Sequence, residues 1–389
     1  MQKSCFVARK DTRSPYDYTI IIPVLCLVII GLLLTHSASS HVAAHRYGDS
    51  YHFLKRQVLF CLLGLSFMIV AKKIPCEWYL KFVYPLLVIS LGLLVLRLIP
   101  GTGGNLGGIG PWFRSSILSS CPSCMIISSL VLYLAYSMSN KANVASFSRG
   151  LLPDLVVPSV FILLIFLQPA VGGSTQGPGI RQADYETAII ITCVAVILLC
   201  IGPRNRLQIC MTLLVVFCLA AGWLLLTLSP YQKARLVNFF TPWKEEKRHY
   251  YGSVVDIRTV IRPKRIFGVG FGHGKAKFWY LRHAHTKDIM AVASEELGWA
   301  GVIAILMIFG ILVTRGIQVG FGTHDPYRRY LALGVTLLVA LQVLLHAGRS
   351  MALLPFAGGV SLPLISYGGP FLAMTLFGMG VLLNVSSRT

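Results

Sequence analysis

The chain has 389 residues, of which 55% are hydrophobic and only 13% charged, with a mean hydropathy of +0.70. That balance excludes a soluble globular fold of this size and points to a polytopic membrane protein. The net charge is +21, yet no basic, aromatic-interleaved soluble module accompanies it, which excludes nucleic-acid binding.

Apolar runs long enough to cross a hydrocarbon layer about 30 Å thick recur along the whole chain. They fall near 19–37, 58–72, 79–97, 116–138, 152–168, 187–201, 207–228, 299–318, 328–347 and 369–386. The expected fold is one all-α membrane domain over 1–389 with about ten transmembrane helices, because helices close their own backbone hydrogen bonds in lipid while barrel strands would be shorter and alternating. Residues 1–18 form a polar tail. SASS follows the first run as it would in a signal peptide, but the apolar core is long and the polar tail reaches Tyr18, so the run reads as an uncleaved first helix.

Basic residues in the short loops set the expected orientation. With the N-terminus cytoplasmic and ten crossings, fifteen Lys/Arg, among them Lys72, Lys73, Arg315, Arg328, Arg329 and Arg388, fall inside, against seven outside. The C-terminus is then also cytoplasmic, and the long segment 229–298 lies outside as the large loop before the eighth span. Most of the ten cysteines sit in apolar runs as small hydrophobes. CPSC, at Cys121 and Cys124, has no second pair and no nearby His, so no metal site is read from it.

Segment 229–298 is the only loop large enough to build a site. It holds thirteen Lys/Arg against six Asp/Glu, which fits either a headgroup-facing surface or a binding surface for an anionic, phosphorylated substrate. FGVGFGHG (267–274) lacks the dinucleotide-binding spacing and reads as a turn or re-entrant segment with close backbone packing. The loop ends in HAHTKDIMAVASEELG (283–298), which crowds ionisable groups against an apolar run. A helix starting near Asp288 places that carboxylate at a positive helix end. Asp288, Glu295 and Glu296 either cap the helix and pair with basic neighbours, or face an internal cavity as costly membrane charges usually do. Glu295 and Glu296 diverge by about 100° on a helix, so at most one faces such a cavity.

HAHTKDIMAVASEELG resembles the H-T-D-F-I-F-A-x-x-x-E-E-L-G signature of the FtsW/RodA (SEDS) peptidoglycan glycosyltransferases. DYTIIIPVLCLVIIGLLLTHSAS (17–39) and FLKRQ (53–57) are similar to that family's first helix and the entry to its second. YQKARLVNFFTPW (231–243) is similar to Y-x-x-x-R-x-x-x-F-x-x-P-W, IFGVGFGHG (266–274) to the glycine-rich segment, and GVSLPLISYGG (359–369) to G-x-x-L-P-x-x-S-Y-G-G.

The resemblance implies polymerisation of lipid II, the undecaprenyl-pyrophosphate-linked disaccharide-peptide, at the outer face of the bacterial cytoplasmic membrane. It also implies a class B penicillin-binding transpeptidase as partner, besides the membrane lipids, and a divalent cation, for which the sequence offers no complete ligand set. Division and elongation branches share these motifs, so the choice between them stays open. A lipid-tethered donor keeps its tail in the bilayer while its sugar reacts in water, which places the site at a helix end. An acceptor hydroxyl needs a general base, and a pyrophosphate leaving group needs cations. Asp288 is the candidate base; Arg235, Lys287, His285 and Ser366 are the candidate substrate contacts. Arg235 serves equally as a loop arginine solvating the membrane surface.

Departures from the family pattern fall on the chemistry. Lys287 stands in the column of the family aspartate, with Asp288 one residue later. The family's Glu and Lys after R-R-W become Cys124 and Ile127, and its arginines become Gly110 and Pro111. QADYETA (182–188) approximates Q-P-D-L-G-T-A with Asp184 in place and Glu186 for glycine; His346 and Ala352 stand at the usual Asn and Gly. These departures keep a second reading open: a non-catalytic member that transports, flips or scaffolds the lipid-linked precursor.

Overall fold

The computed structural model describes residues 16–98, 116–140, 152–167, 185–202, 266–274, 286, 288–351, 354 and 361–388. Among them are ten α-helices and no strand. They are α1 (Tyr18–Tyr47), α2 (His52–Lys73), α3 (Cys76–Leu98), α4 (Ser116–Asn140), α5 (Leu152–Leu167), α6 (Tyr185–Ile201), α7 (Ile289–Glu296), α8 (Gly298–Gly322), α9 (Pro326–Ser350) and α10 (Gly369–Ser386). Six of the described helices are long and apolar enough to cross a membrane, and α4, α5 and α6 carry shorter apolar stretches. Nine of the ten expected runs thus coincide with helices; the run at 207–228 lies outside the described residues. The all-α polytopic expectation holds.

α1 is longer than its apolar run. Thirty residues make a rod of about 45 Å, and its last part, from Thr35 to Tyr47, is more polar yet helical. SASS is therefore an internal turn of α1. Gly48 closes the helix in the left-handed conformation at φ 71°, its N–H returned to the Ala44 carbonyl.

Long-range bonds define two ends of the bundle. At one, the Asp17 carboxylate accepts from Arg315 at 2.9 Å and from the Ser386 hydroxyl at 2.5 Å, joining the start of α1 to the last parts of α8 and α10. Burial by itself would raise the Asp17 carboxyl, but the bonds from Ser386, Thr19 and Arg315 outweigh it and hold the group below its usual range. Asn384 completes this end. Its amide donates to the carbonyls of Ala71 (3.1 Å), Lys72 (2.6 Å) and Ile74 (2.5 Å), and its oxygen lies 3.2 Å from Cys76 Sγ. The Tyr79 hydroxyl also donates to the Ala71 carbonyl at 2.7 Å, so the carbonyls at the end of α2 are satisfied by α10 and α3 together. Gly380 permits the contact, since a Cβ there would come within 2.4 Å of the Met68 carbonyl oxygen.

At the other end, Thr35 of α1 donates to the Ile365 carbonyl, and Gln57 of α2 donates to the Ser366 carbonyl at 3.3 Å and accepts from the Gly368 N–H at 3.4 Å. α10 packs along α2 and against α4 and α9, and α9 packs against α4, α6 and α8. Outward faces of α2 and α3 expose Leu59, Leu62, Phe82 and Val88, as lipid-facing surfaces do.

Candidate active site

The eighth expected span begins with a break. α7 ends at Glu296, Leu297 sits between, and Gly298 opens α8 at φ 73°. A side chain is excluded there twice over: L-residues disfavour that conformation, and a Cβ would lie 2.3 Å from the Ile266 carbonyl oxygen. Hydropathy alone misses this break, because Leu297, Gly298 and Trp299 read on smoothly into the apolar run.

The glycine-rich segment 266–274 is stitched over the break. Val269 N–H donates to the Glu295 carbonyl and Gly270 N–H to the Glu296 carbonyl, both at 3.0 Å, while Ala300 N–H donates to the Ile266 carbonyl at 3.1 Å. Close backbone packing is what the alternating glycines predict, and Gly268, at φ 65°, sits so near Glu296 that a Cβ would come within 2.4 Å of its carbonyl oxygen.

Of the adjacent glutamates, Glu296 turns inward. It is fully buried, and its carboxylate accepts from the Ser37 hydroxyl at 2.6 and 2.8 Å and from the Gly272 N–H at 3.1 Å. One carboxylate thereby joins α1, the glycine segment and the break. Glu295 is half-buried. The two glutamates diverge as adjacent residues of a helix must, Glu296 fully inward and Glu295 to a half-buried side. The buried glutamate is satisfied by hydroxyl and amide donors, as a charge removed from water must be.

Asp288 occupies the position before α7, with φ −116° and ψ 23°, and its side chain makes no capping bond. It is half-buried, eight residues and about 12 Å of helix from Glu296. Ser366 is only 1% exposed; its hydroxyl accepts from the Leu362 N–H at 3.0 Å and closes the LPLIS turn (362–366), in which Leu364 holds φ 64° and which leads into SYGG. Beside it, burial pushes the Tyr367 phenol up, with Arg56 opposing, and the ring meets Phe53 edge-on. Arg235, His285, Lys287 and Asp184 lie outside the described residues.

Sequence reasoning did not single out Ser37, Gln57 or Arg349. The Arg349 guanidinium lies 3.6 Å from the Glu186 carboxylate, both nearly fully buried, and 3.4 Å from His346 Nδ1. A polar residue inside an apolar helix was the available signal for each. Cys124 and Ile127 line a cavity of about 50 Å³ between α4, α9 and α10 with Val131, Gln342, Met374 and Gly378. Its wall is almost wholly apolar. Among the described residues no group of His, Cys, Asp and Glu is arranged to hold a metal ion.

Comparison with known proteins covers nearly the whole chain. Residues 17–389 match the FtsW/RodA/SpoVE family, described as cell cycle protein. The chain is 34% identical to a protein of Geobacter metallireducens named probable peptidoglycan glycosyltransferase FtsW, over 96% of this chain and 95% of that one. It is 33% identical to stage V sporulation protein E of Bacillus subtilis, over 96% and 98%. In structure it is similar to a chain of a peptidoglycan synthase complex that coordinates polymerisation and crosslinking (TM-score 0.70, 22% identity, 96% of this chain and 98% of that one). It is also similar to the rod shape determining protein RodA of Thermus thermophilus (TM-score 0.62, 21% identity, 96% and 97%). These two likenesses concern the fold.

Proposed function

The chain belongs to the FtsW/RodA/SpoVE family, and from that premise we propose that it polymerises glycan strands from lipid II at the outer face of the cytoplasmic membrane. The observation that carries the reading is the place of Asp288, a partly exposed carboxylate immediately before α7, at the end of the bundle where the glycine segment is bonded to α7 and α8. Asp288 takes the proton of an acceptor sugar hydroxyl. The oxygen bonds to the donor's anomeric carbon, and the bond from that carbon to the pyrophosphate oxygen breaks with its electron pair. Lys287, His285 and Arg235, which the sequence puts in the same segment, meet the leaving pyrophosphate and the sugars. Ser366 contributes through the turn it closes. The α7 end of the bundle faces outward, the Asp17 end with Lys72, Lys73, Arg315 and Arg388 faces the cytoplasm, and both termini lie inside. A class B penicillin-binding transpeptidase is the partner.

Purified protein is supplied with lipid II, with and without that partner, and the glycan is measured. Polymer is expected from the wild type, with Asp288→Ala losing it and Lys287→Ala losing less. An undiminished yield from Asp288→Ala overturns the assignment of the base. One observation favours a scaffold or transporter reading: Cys124 and Ile127, where the family resemblance puts Glu and Lys, line an apolar cavity. That reading predicts no glycan from the wild type with a competent partner.

A further inference from the structure

Resting on the polymerase reading, we infer that Glu296 is a positioning residue. Its carboxylate clamps α7 between α1 and the glycine segment and so fixes where Asp288 stands.

Three sets of bonds meet at this residue. The backbone of Glu295 and Glu296 accepts from Val269 and Gly270, which locks the glycine segment to the end of α7. The side chain reaches back to Gly272 N–H in the same segment. It also crosses to Ser37 on α1, where one hydroxyl lies within 2.8 Å of both carboxylate oxygens. α1 is a long transmembrane rod, so Ser37 is the fixed point. α7 is joined to α8 only through Leu297 and Gly298, a joint in which Gly298 holds a left-handed conformation. Without the side-chain clamp, the backbone bonds still tie the end of α7 to the glycine segment, but no directional bond ties the helix that follows Asp288 to α1. Apolar packing holds the other faces of α7: Ile289, Met290, Ala291, Val292 and Ala293 are all buried. Such packing resists separation, but it is non-directional and sets the rotation of a short helix weakly. The clamp is directional. A charge-assisted hydrogen bond to a fixed hydroxyl sets both position and rotation.

The role matters because a general base works only within hydrogen-bond reach of its proton, and a displacement of about 1 Å can cost about a hundredfold in rate. Glu296 is fully buried, with its carboxylate bonded to Ser37 and Gly272. Its effect passes through α7 to Asp288, and it belongs to turnover and not to donor binding.

The test uses the full-length protein with its transpeptidase partner, and Ser37→Ala, Ser37→Thr, Glu296→Gln and the Ser37→Ala/Glu296→Gln double variant. Ser37→Ala and Glu296→Gln are expected to lower kcat about ten- to a hundredfold with KM for lipid II unchanged. Both proteins remain folded with a lowered melting temperature, and the loss of kcat does not scale with that lowering across the variants. Ser37→Thr, which keeps the hydroxyl, restores kcat. The double variant falls no further than Glu296→Gln alone. A wild-type kcat in Ser37→Ala, or a loss of kcat that tracks a loss of melting temperature, overturns the clamp. A readout independent of activity is maleimide labelling at Asp288→Cys, resolved by peptide mass spectrometry. Its rate is expected to shift severalfold when Ser37→Ala is added, and an unchanged rate overturns the clamp even where no glycan is made. Failure of the wild type to polymerise strikes the polymerase reading alone.

Discussion

Glu186 and Arg349 face each other across α6 and α9 at 3.6 Å, with side chains 3% and 6% exposed. The two opposite charges are brought together from distant parts of the sequence. A pair this deep is costly to break from one side, since the survivor is left as a buried charge. Glu186→Gln or Arg349→Met alone is therefore expected to destabilise the protein by about 3–5 kcal/mol, and the double variant to recover most of that loss. Thermal unfolding of the three purified variants in detergent, compared with wild type, measures it.

Asp17 makes the stability pH-dependent at the acid end. Its folded-state pKa is held below the usual 3.8. The sign follows from linkage: stability gained through the ionised carboxylate is complete above the unfolded value and is lost as pH falls through the folded one. Asp17→Asn is expected to lower the melting temperature at neutral pH, with the gap to wild type closing below about pH 4. Melting curves across pH for both proteins check this. A gap that stays constant down to the lowest pH contradicts it.

Gly298→Ala introduces a side chain at φ 73° and 2.3 Å from the Ile266 carbonyl oxygen. The conformation alone costs about 1–2 kcal/mol, and relieving the contact must move the glycine segment. The expected result is a folded, helical protein with polymerisation reduced more than about tenfold, because the segment bearing Asp288 shifts. Circular dichroism alongside the glycan assay separates the two effects.

Asn384 offers donors to three carbonyls at the end of α2. Asn384→Leu leaves those acceptors without this partner and is expected to cost about 1–3 kcal/mol. Asn384→Asp adds a negative charge against carbonyl oxygens and is expected to be worse than leucine, which a size-based view would not order that way. Unfolding midpoints of the two variants decide the order.

What was legible in the sequence was set by range. α10 spans the residues its apolar run marked, because Gly369 and Pro370 form a sharp helix start that hydropathy and local chemistry both see. α1 was cut short at 37 because Ser39, Ser40 and His41 lower hydropathy without lowering helicity. The crowding of carboxylates before the eighth span was visible, but the choice of Glu296 over Glu295 was not. That choice depends on Ser37, 259 residues away, and on a left-handed glycine that no hydropathy window registers. The Glu186–Arg349 pair was half visible: Glu186 stood out as a departure, and its partner lay on a helix with no sequence link to it.

The bonds from Asn384 also bear on the order of biosynthesis. The carbonyl of Lys72 meets the Asn384 amide 312 residues downstream, so during synthesis the end of α2 enters the bilayer before that partner exists. Asp17 likewise meets Ser386 only when α10 has emerged. Closure of the seam between α1, α2 and α10 therefore comes only after the last helix has been made.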